Sequence, residues 1–179
     1  MKKGFSLLEM LVVMGIMAVV ATLGFNYFIF DSSEKNLQKE ALRLQNVLEN
    51  LRMMSSTGQK VNGVLPKMYC VYARYTPESG YQTYAEFGDD AIFNSGDEII
   101  STIIMDKNVV FMSPVLPFSL CYVLNNKNYS MCFHNNGQKS CGDTLVFQRI
   151  SLENAKSGDF ASVDVNLRSG VLEEAEFKR

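Results

Sequence analysis

Glu9 is the residue whose setting most demands a chemical explanation. It is the one formal charge between Phe5 and Phe30, inside an apolar run that begins Phe5-Ser6-Leu7-Leu8 and stops at Asp31. A carboxylate in such a stretch is costly unless it snorkels to a polar boundary, is neutralised, or meets a cation. Two further groups of side chains could do chemistry. Cys70, Cys121, Cys132 and Cys141 could form disulfides. Asp89, Asp90, Asn94, Asp97 and Glu98 gather oxygen ligands of the kind that suits a hard cation such as Ca²⁺. That last segment fails the EF-hand spacing, because Ala91, Ile92 and Phe93 stand where ligands are needed. The better reading is a solvated acidic loop and no metal. With His134 as the single histidine, a Ser-His-Asp triad away from it or a histidine-rich metal site is excluded. No phosphate-binding glycine loop or nucleophile elbow occurs, so neither an enzyme nor a cofactor is expected.

The element that must hold Glu9 is a helix. Residues 5–30 at about 1.5 Å per residue would extend roughly 39 Å, more than the ~30 Å core of a bilayer. Lys2 and Lys3 precede the run and the next basic residue is Lys35, a bias that keeps the N-terminus cytoplasmic and sends the C-terminal part outward. All four cysteines would then lie in a disulfide-permissive compartment. An ordinary secretory signal peptide is the competing reading, but its apolar region would be about 7–15 residues. Ala18-Val19-Val20-Ala21-Thr22 is a poor cleavage site, with apolar sequence continuing past it.

Gly4 followed by Phe-Ser-Leu-Leu-Glu, behind a short basic leader, resembles the class III leader of type IV pilins and type II secretion pseudopilins. The resemblance implies cleavage after Gly4 by prepilin peptidase and methylation of the new N-terminal amine on Phe5. It also implies assembly through Glu9 and partnership with other pilin or pseudopilin subunits and an inner-membrane assembly platform, with membrane lipid around the helix beforehand. The chemistry is reasonable. Cleavage puts a cation on Phe5, and the Glu9 of an incoming chain can face that amine in low dielectric, where each charge alone is unfavourable. The family's helix often carries a proline near mid-depth. This chain has Gly15, Gly24 and Asn26 there and no proline, so local melting of the helix is not implied.

After Asp31 the pattern turns amphipathic. Leu37, Ala41, Leu44, Leu48 and Leu51 recur at spacings of four and three, and polar residues fill the opposite side. The stripe predicts that residues 31–57 continue the same helix and lay it on a folded head, with Gly58 as the C-cap. From residue 58 the period moves toward two. Strands are expected over Lys67–Tyr75, Tyr81–Phe87, Glu98–Met105, Asn108–Met112, Phe118–Leu124, Tyr129–Phe133, Thr144–Ile150, Asp159–Arg168 and Val171–Phe177. Pro114 and Pro117 mark a break or a sheet edge, and His134-Asn135-Asn136-Gly137 reads as a loop. The expected fold is α+β, a long N-terminal helix on an antiparallel sheet. The parts would be a leader (1–4), a membrane and filament-core helix (5–30), its amphipathic half (31–57) and an extracytoplasmic head (58–179). This layout, with the late Leu-Arg-Ser-Gly-Val-Leu turn, is similar to the H-type minor pseudopilins and related minor pilins.

If the Asn125–Asn128 turn centres on residues 126 and 127, Leu120 faces Phe133, Tyr122 faces Met131, and Cys121 lies opposite Cys132. Cys121–Cys132 is one plausible bridge, Cys132–Cys141 would close a short loop, and three complete pairings remain open. Composition sets the outer bounds: the chain has 179 residues, 47% hydrophobic, with net charge −2. Removing Lys2 and Lys3 with the leader leaves 15 basic against 19 acidic residues, no general basis for nucleic-acid binding. Lys127, Lys139, Arg149 and Lys156 are scattered, which argues against a DNA-uptake role. The function expected is a structural subunit, a minor pilin or pseudopilin. A major pilin is the nearest alternative, and a membrane-anchored binding protein or enzyme a more distant one.

Overall fold

In the computed structural model, residues 7–74, 79–88, 90–124, 131–142, 145, 147–173 and 176–178 are described, with side chains for all of these except 7–9 and 22–33. Helix α1 runs Leu7–Thr57. Its second half lays the stripe Leu37, Ala41, Leu44, Leu48, Leu51 and Met54 into the core, each side chain buried. The 3.6-residue period that places these residues on one face dictates this docking. Gly58 ends the helix at φ +62°, in the left-handed region that costs glycine little. Gln59 N donates to Met54 O and Gly58 N to Ser55 O, so two terminal carbonyls are satisfied by a Schellman turn. The Tyr69 hydroxyl then donates to Gln59 O and pins the exit of the helix to the first strand.

The strands are β1 (Met68–Ala73), β2 (Gly80–Glu86), β3 (Glu98–Ile104), β4 (Val109–Ser113), β5 (Phe118–Val123), β6 (Met131–Asn135), β7 (Gln138–Cys141), β8 (Phe147–Asn154), β9 (Phe160–Asn166) and β10 (Glu176–Lys178). They form two antiparallel sheets rather than the single sheet expected. One has order β3-β2-β1-β5-β6-β7, the other β10-β9-β8-β4. The division falls at Ser113-Pro114-Val115-Leu116-Pro117. Prolines cannot donate to a ladder, so β4 does not run on beside β5 and instead pairs β8.

Helix α1 packs on β1 and β5 of the larger sheet and on β4, β8 and β9 of the smaller. Between them lies one core built from Tyr69, Val71, Phe118, Leu120, Tyr122, Met131, Ile150, Leu152, Val163 and Val165 with the helix stripe. The sheets are also stitched at their ends. Met131 N donates to Leu167 O, and the Arg168 guanidinium to Gly142 O. A Cβ on Gly142 would lie 2.6 Å from the Arg168 backbone, so only glycine allows that approach. His134 and Asn135, expected in a loop, end β6 instead, and β7 follows in a stretch where no strand was expected. Asn136 and Gly137 both have positive φ and make the two-residue turn that folds β7 back onto β6.

Candidate functional site

Three places carry the sequence's chemical candidates. At the N-terminal end, Gly4 and Phe5 lie outside the described residues, as does the side chain of Glu9. What is described next to them is the helix from Met10 to Ala21, where every residue is exposed. Nine large apolar side chains in this stretch are 48–68% exposed. A helix that is hydrophobic all round belongs in an apolar surround, not in water. With full burial of such a side chain contributing about 1.5–3 kcal/mol, covering the remaining surface is worth on the order of 10 kcal/mol. Among the described residues no helix is long and apolar enough to cross a membrane.

The second place is the row of cysteines. Register sets Cys70 beside Cys121, Cys121 beside Cys132, and Cys132 beside Cys141, a single line across β1, β5, β6 and β7. The β5–β6 register is the one the turn predicts. The bridges, however, are Cys70–Cys121 and Cys132–Cys141, each with Cα atoms 4.0 Å apart, and not Cys121–Cys132. The correction has a physical reason. In an antiparallel sheet a residue that exchanges hydrogen bonds with one neighbour is non-bonded to the other, and non-bonded partners sit closer, near 4.5 Å rather than about 5.5 Å. Met131 bonds away from β5, to Leu167 and Gly142, so the alternation turns Cys132 toward Cys121 as a wide, hydrogen-bonded pair. The two close pairs flank it and together use all four thiols.

The third place is the acidic segment. Asp89 lies outside the described residues. Asp90 Oδ1 accepts from Ile92 N (2.9 Å), Asp97 Oδ2 from Asn94 N (2.8 Å) and Asn94 Oδ1 from Gly96 N (2.8 Å). These oxygens hold the loop's own backbone. Glu98 is exposed at the start of β3. Among the described residues no three His, Cys, Asp or Glu side chains are grouped to hold a metal ion. The apolar residues that spoil the ligand spacing have a structural role instead. Ala91 is wholly buried against Met68, Tyr84 and the Cys70–Cys121 bridge. Phe93 stacks on Tyr72 (5.3 Å between centroids) and meets Tyr84 edge-on (5.1 Å). The segment is thus a cover over the face of the larger sheet that points away from α1.

Under that cover lies Glu86, which sequence reasoning passed over. Alternation along β2 puts it on the same face as Tyr84, and it is 0% exposed. Its Oε1 accepts from Gly88 N at 2.5 Å, while Oε2 is buried with no hydrogen-bond partner. Burial pushes its carboxyl up to about 7. The Gly88 N–H opposes that rise, and the nearby Asp97 and Asp90 charges add to it. Burial also raises the Tyr84 hydroxyl, whose O–H donates to Ala91 O. The strand's period gave no signal for it: Glu86 is in phase with Gln82 and Tyr84, on the face opposite Tyr81, Thr83 and Ala85.

Of the basic residues weighed for nucleic acid, Arg149 is bound to Asp164 (Nη2 to Oδ2 2.5 Å) on the outer face of the smaller sheet. That carboxylate holds the guanidinium's affinity for its proton above the ordinary value.

Residues 1–25 match the family described as the Prokaryotic N-terminal methylation motif. Neither the curated proteins nor the solved structures contain a match to this chain. The motif indicates a class III prepilin-type leader. A leader of this type suggests a type IV pilin-like or pseudopilin-type protein, anchored in a membrane, processed by prepilin peptidase and assembled with other pilin subunits.

Proposed function

We propose that the chain is a structural subunit, a minor pilin or pseudopilin, of a type IV pilus or a type II secretion pseudopilus. The observation that carries this reading is the methylation motif at residues 1–25 running into a helix whose Met10–Ala21 stretch is apolar and exposed on every side. Residues 1–4 are removed as a leader, and residues 5–30 span the inner membrane before assembly and form the filament core after it. Residues 31–57 bolt that rod to the head, 58–179, which projects outward and contacts neighbouring subunits or cargo. Extraction from the bilayer exchanges lipid contacts for helix–helix packing, with Gly15 and Gly24 permitting close approach.

Register along the filament is set by charge. The methylated amine of Phe5 in one subunit compensates Glu9 of the next, and each is unfavourable alone in low dielectric. A minor rather than a major subunit is supported by the late sequence Leu-Arg-Ser-Gly-Val-Leu, which resembles that of H-type minor pseudopilins; in this chain it makes a turn closed by the Val165–Leu172 bridge. The test is Glu9→Ala in cells that assemble the filament. The variant is expected to be cleaved, to remain in the membrane and to be missing from sheared filaments. Normal incorporation refutes the pairing.

A further inference from the structure

The acids beneath the 90–97 cover carry an inference that is independent of filament assembly. Glu86 is wholly buried, and Oε2 has no donor facing it. The β2–β3 register, carried one step past the Ala85–Glu98 pair, sets Asp97, itself half-buried, opposite Glu86, and the Asp90 charge also acts on it. Two carboxylates cannot bond to each other; a carboxyl and a carboxylate can, through a single retained proton. No lysine or arginine offsets the rise of the Glu86 carboxyl. On β2 there is Tyr84; on the cover, Asp90; at the head of β3, the exposed Glu98. On the β1 side the group opposite Glu86 is Met68, preceded by Lys67, whose backbone N–H bonds Glu86 O while its side chain is exposed.

We propose that Glu86 and Asp97 form a carboxyl–carboxylate pair whose one shared proton latches residues 90–97 over the outer face of the larger sheet. In the latched state Glu86 Oε2–H donates to an Asp97 oxygen. When that proton leaves to solvent, two carboxylates face each other in a desolvated site, and the repulsion is relieved by lifting the segment. Asp97 also holds the segment's own turn, accepting from Asn94 N and donating from its backbone to Asn94 O, so its displacement moves the turn as a unit. Lifting withdraws Ala91 and Phe93 and exposes Met68, Tyr72, Tyr84 and the Cys70–Cys121 bridge. The carboxyl's rise to about 7 places the transition near neutrality.

The test is hydrogen exchange read by mass spectrometry on the full-length chain in detergent micelles, from about pH 5 to about pH 8.5, with each rate corrected for the intrinsic pH dependence. Peptides covering 90–97 are expected to lose about tenfold or more of their protection across the neutral range while β8 and β9 peptides hold theirs. In Glu86→Gln the carboxamide donates to Asp97 at every pH, so the segment is expected to stay protected throughout. Protection of 90–97 that is flat with pH in the wild-type chain overturns the proposal, as does an unchanged transition in Glu86→Gln. Should that variant not fold, Asp97→Asn serves: with the second charge gone and an N–H donor supplied, the segment must stay protected across the neutral range, and an unchanged transition overturns the latch.

Discussion

The two disulfides lie side by side in one sheet yet should differ in worth. Cys70–Cys121 ties residues 51 apart in sequence; Cys132–Cys141 ties residues 9 apart. In the chain-entropy account a bridge stabilises by restricting the unfolded chain, and the restriction grows with the logarithm of the loop. At 25 °C that gives about 4 kcal/mol for the longer loop and about 2.5 kcal/mol for the shorter. The cysteines of both bridges are buried, so replacing each pair by alanine removes similar packing and leaves loop length as the main difference. In a chain of this size 1 kcal/mol moves the melting temperature by about 2–4 °C. The Cys70→Ala/Cys121→Ala chain should therefore melt lower than the Cys132→Ala/Cys141→Ala chain by roughly 3–6 °C. The assay is thermal unfolding followed by far-ultraviolet circular dichroism, on full-length chains in the same detergent, with urea melts giving the free energies. Equal losses, or a greater loss from the shorter loop, refute the reasoning.

Other outcomes follow from the packing and the buried acid. Leu48→Ala opens a cavity in the stripe that fixes the head to its helix, where Leu48 is 0% exposed, and should cost about 2–5 kcal/mol in urea unfolding. Leu42→Ala, on the exposed side of the same helix, should cost less than about 1 kcal/mol by the same measurement. Stability should also fall with rising pH through the neutral range. Glu86 binds its proton more tightly folded than unfolded, so its contribution is complete below the ordinary value of 4.5 and is lost as pH rises through about 7. The loss is on the order of 3 kcal/mol, and Glu86→Gln should flatten that part of the profile in melts taken between about pH 5 and pH 8.

Much of the head was legible because its signals are local. The leucine stripe from Leu37 to Leu51 and the alternation of Ala161, Val163 and Val165 each predict which face is buried, and those faces are buried. The β5–β6 hairpin could be registered from its turn, since period-two geometry fixes every pair once one is fixed. What the sequence hid depends on contacts between distant segments. The disulfide pairing required knowing that β1 and β7 flank the hairpin and which pairs are hydrogen-bonded, and neither follows from spacing. The departure of β4 to a second sheet depends on β8, some forty residues on. Strand β7 was missed for a local reason: Asn136-Gly137 is a strong hairpin signal, but Gln138-Lys139-Ser140 is polar throughout at a sheet edge, so it shows no alternation. Ala91 and Phe93 looked like defects in a ligand loop and are its anchors.

The central claim is that this chain is trimmed to a charged tip that pairs with a neighbour's acid, and the mature N-terminus tests it most directly. Intact and N-terminal peptide mass spectrometry of the protein recovered from cells with an active prepilin peptidase should show Met1–Gly4 missing and a methyl group on the Phe5 amine. Recovery with Met1–Gly4 still attached, or with cleavage near Ala21, contradicts the account.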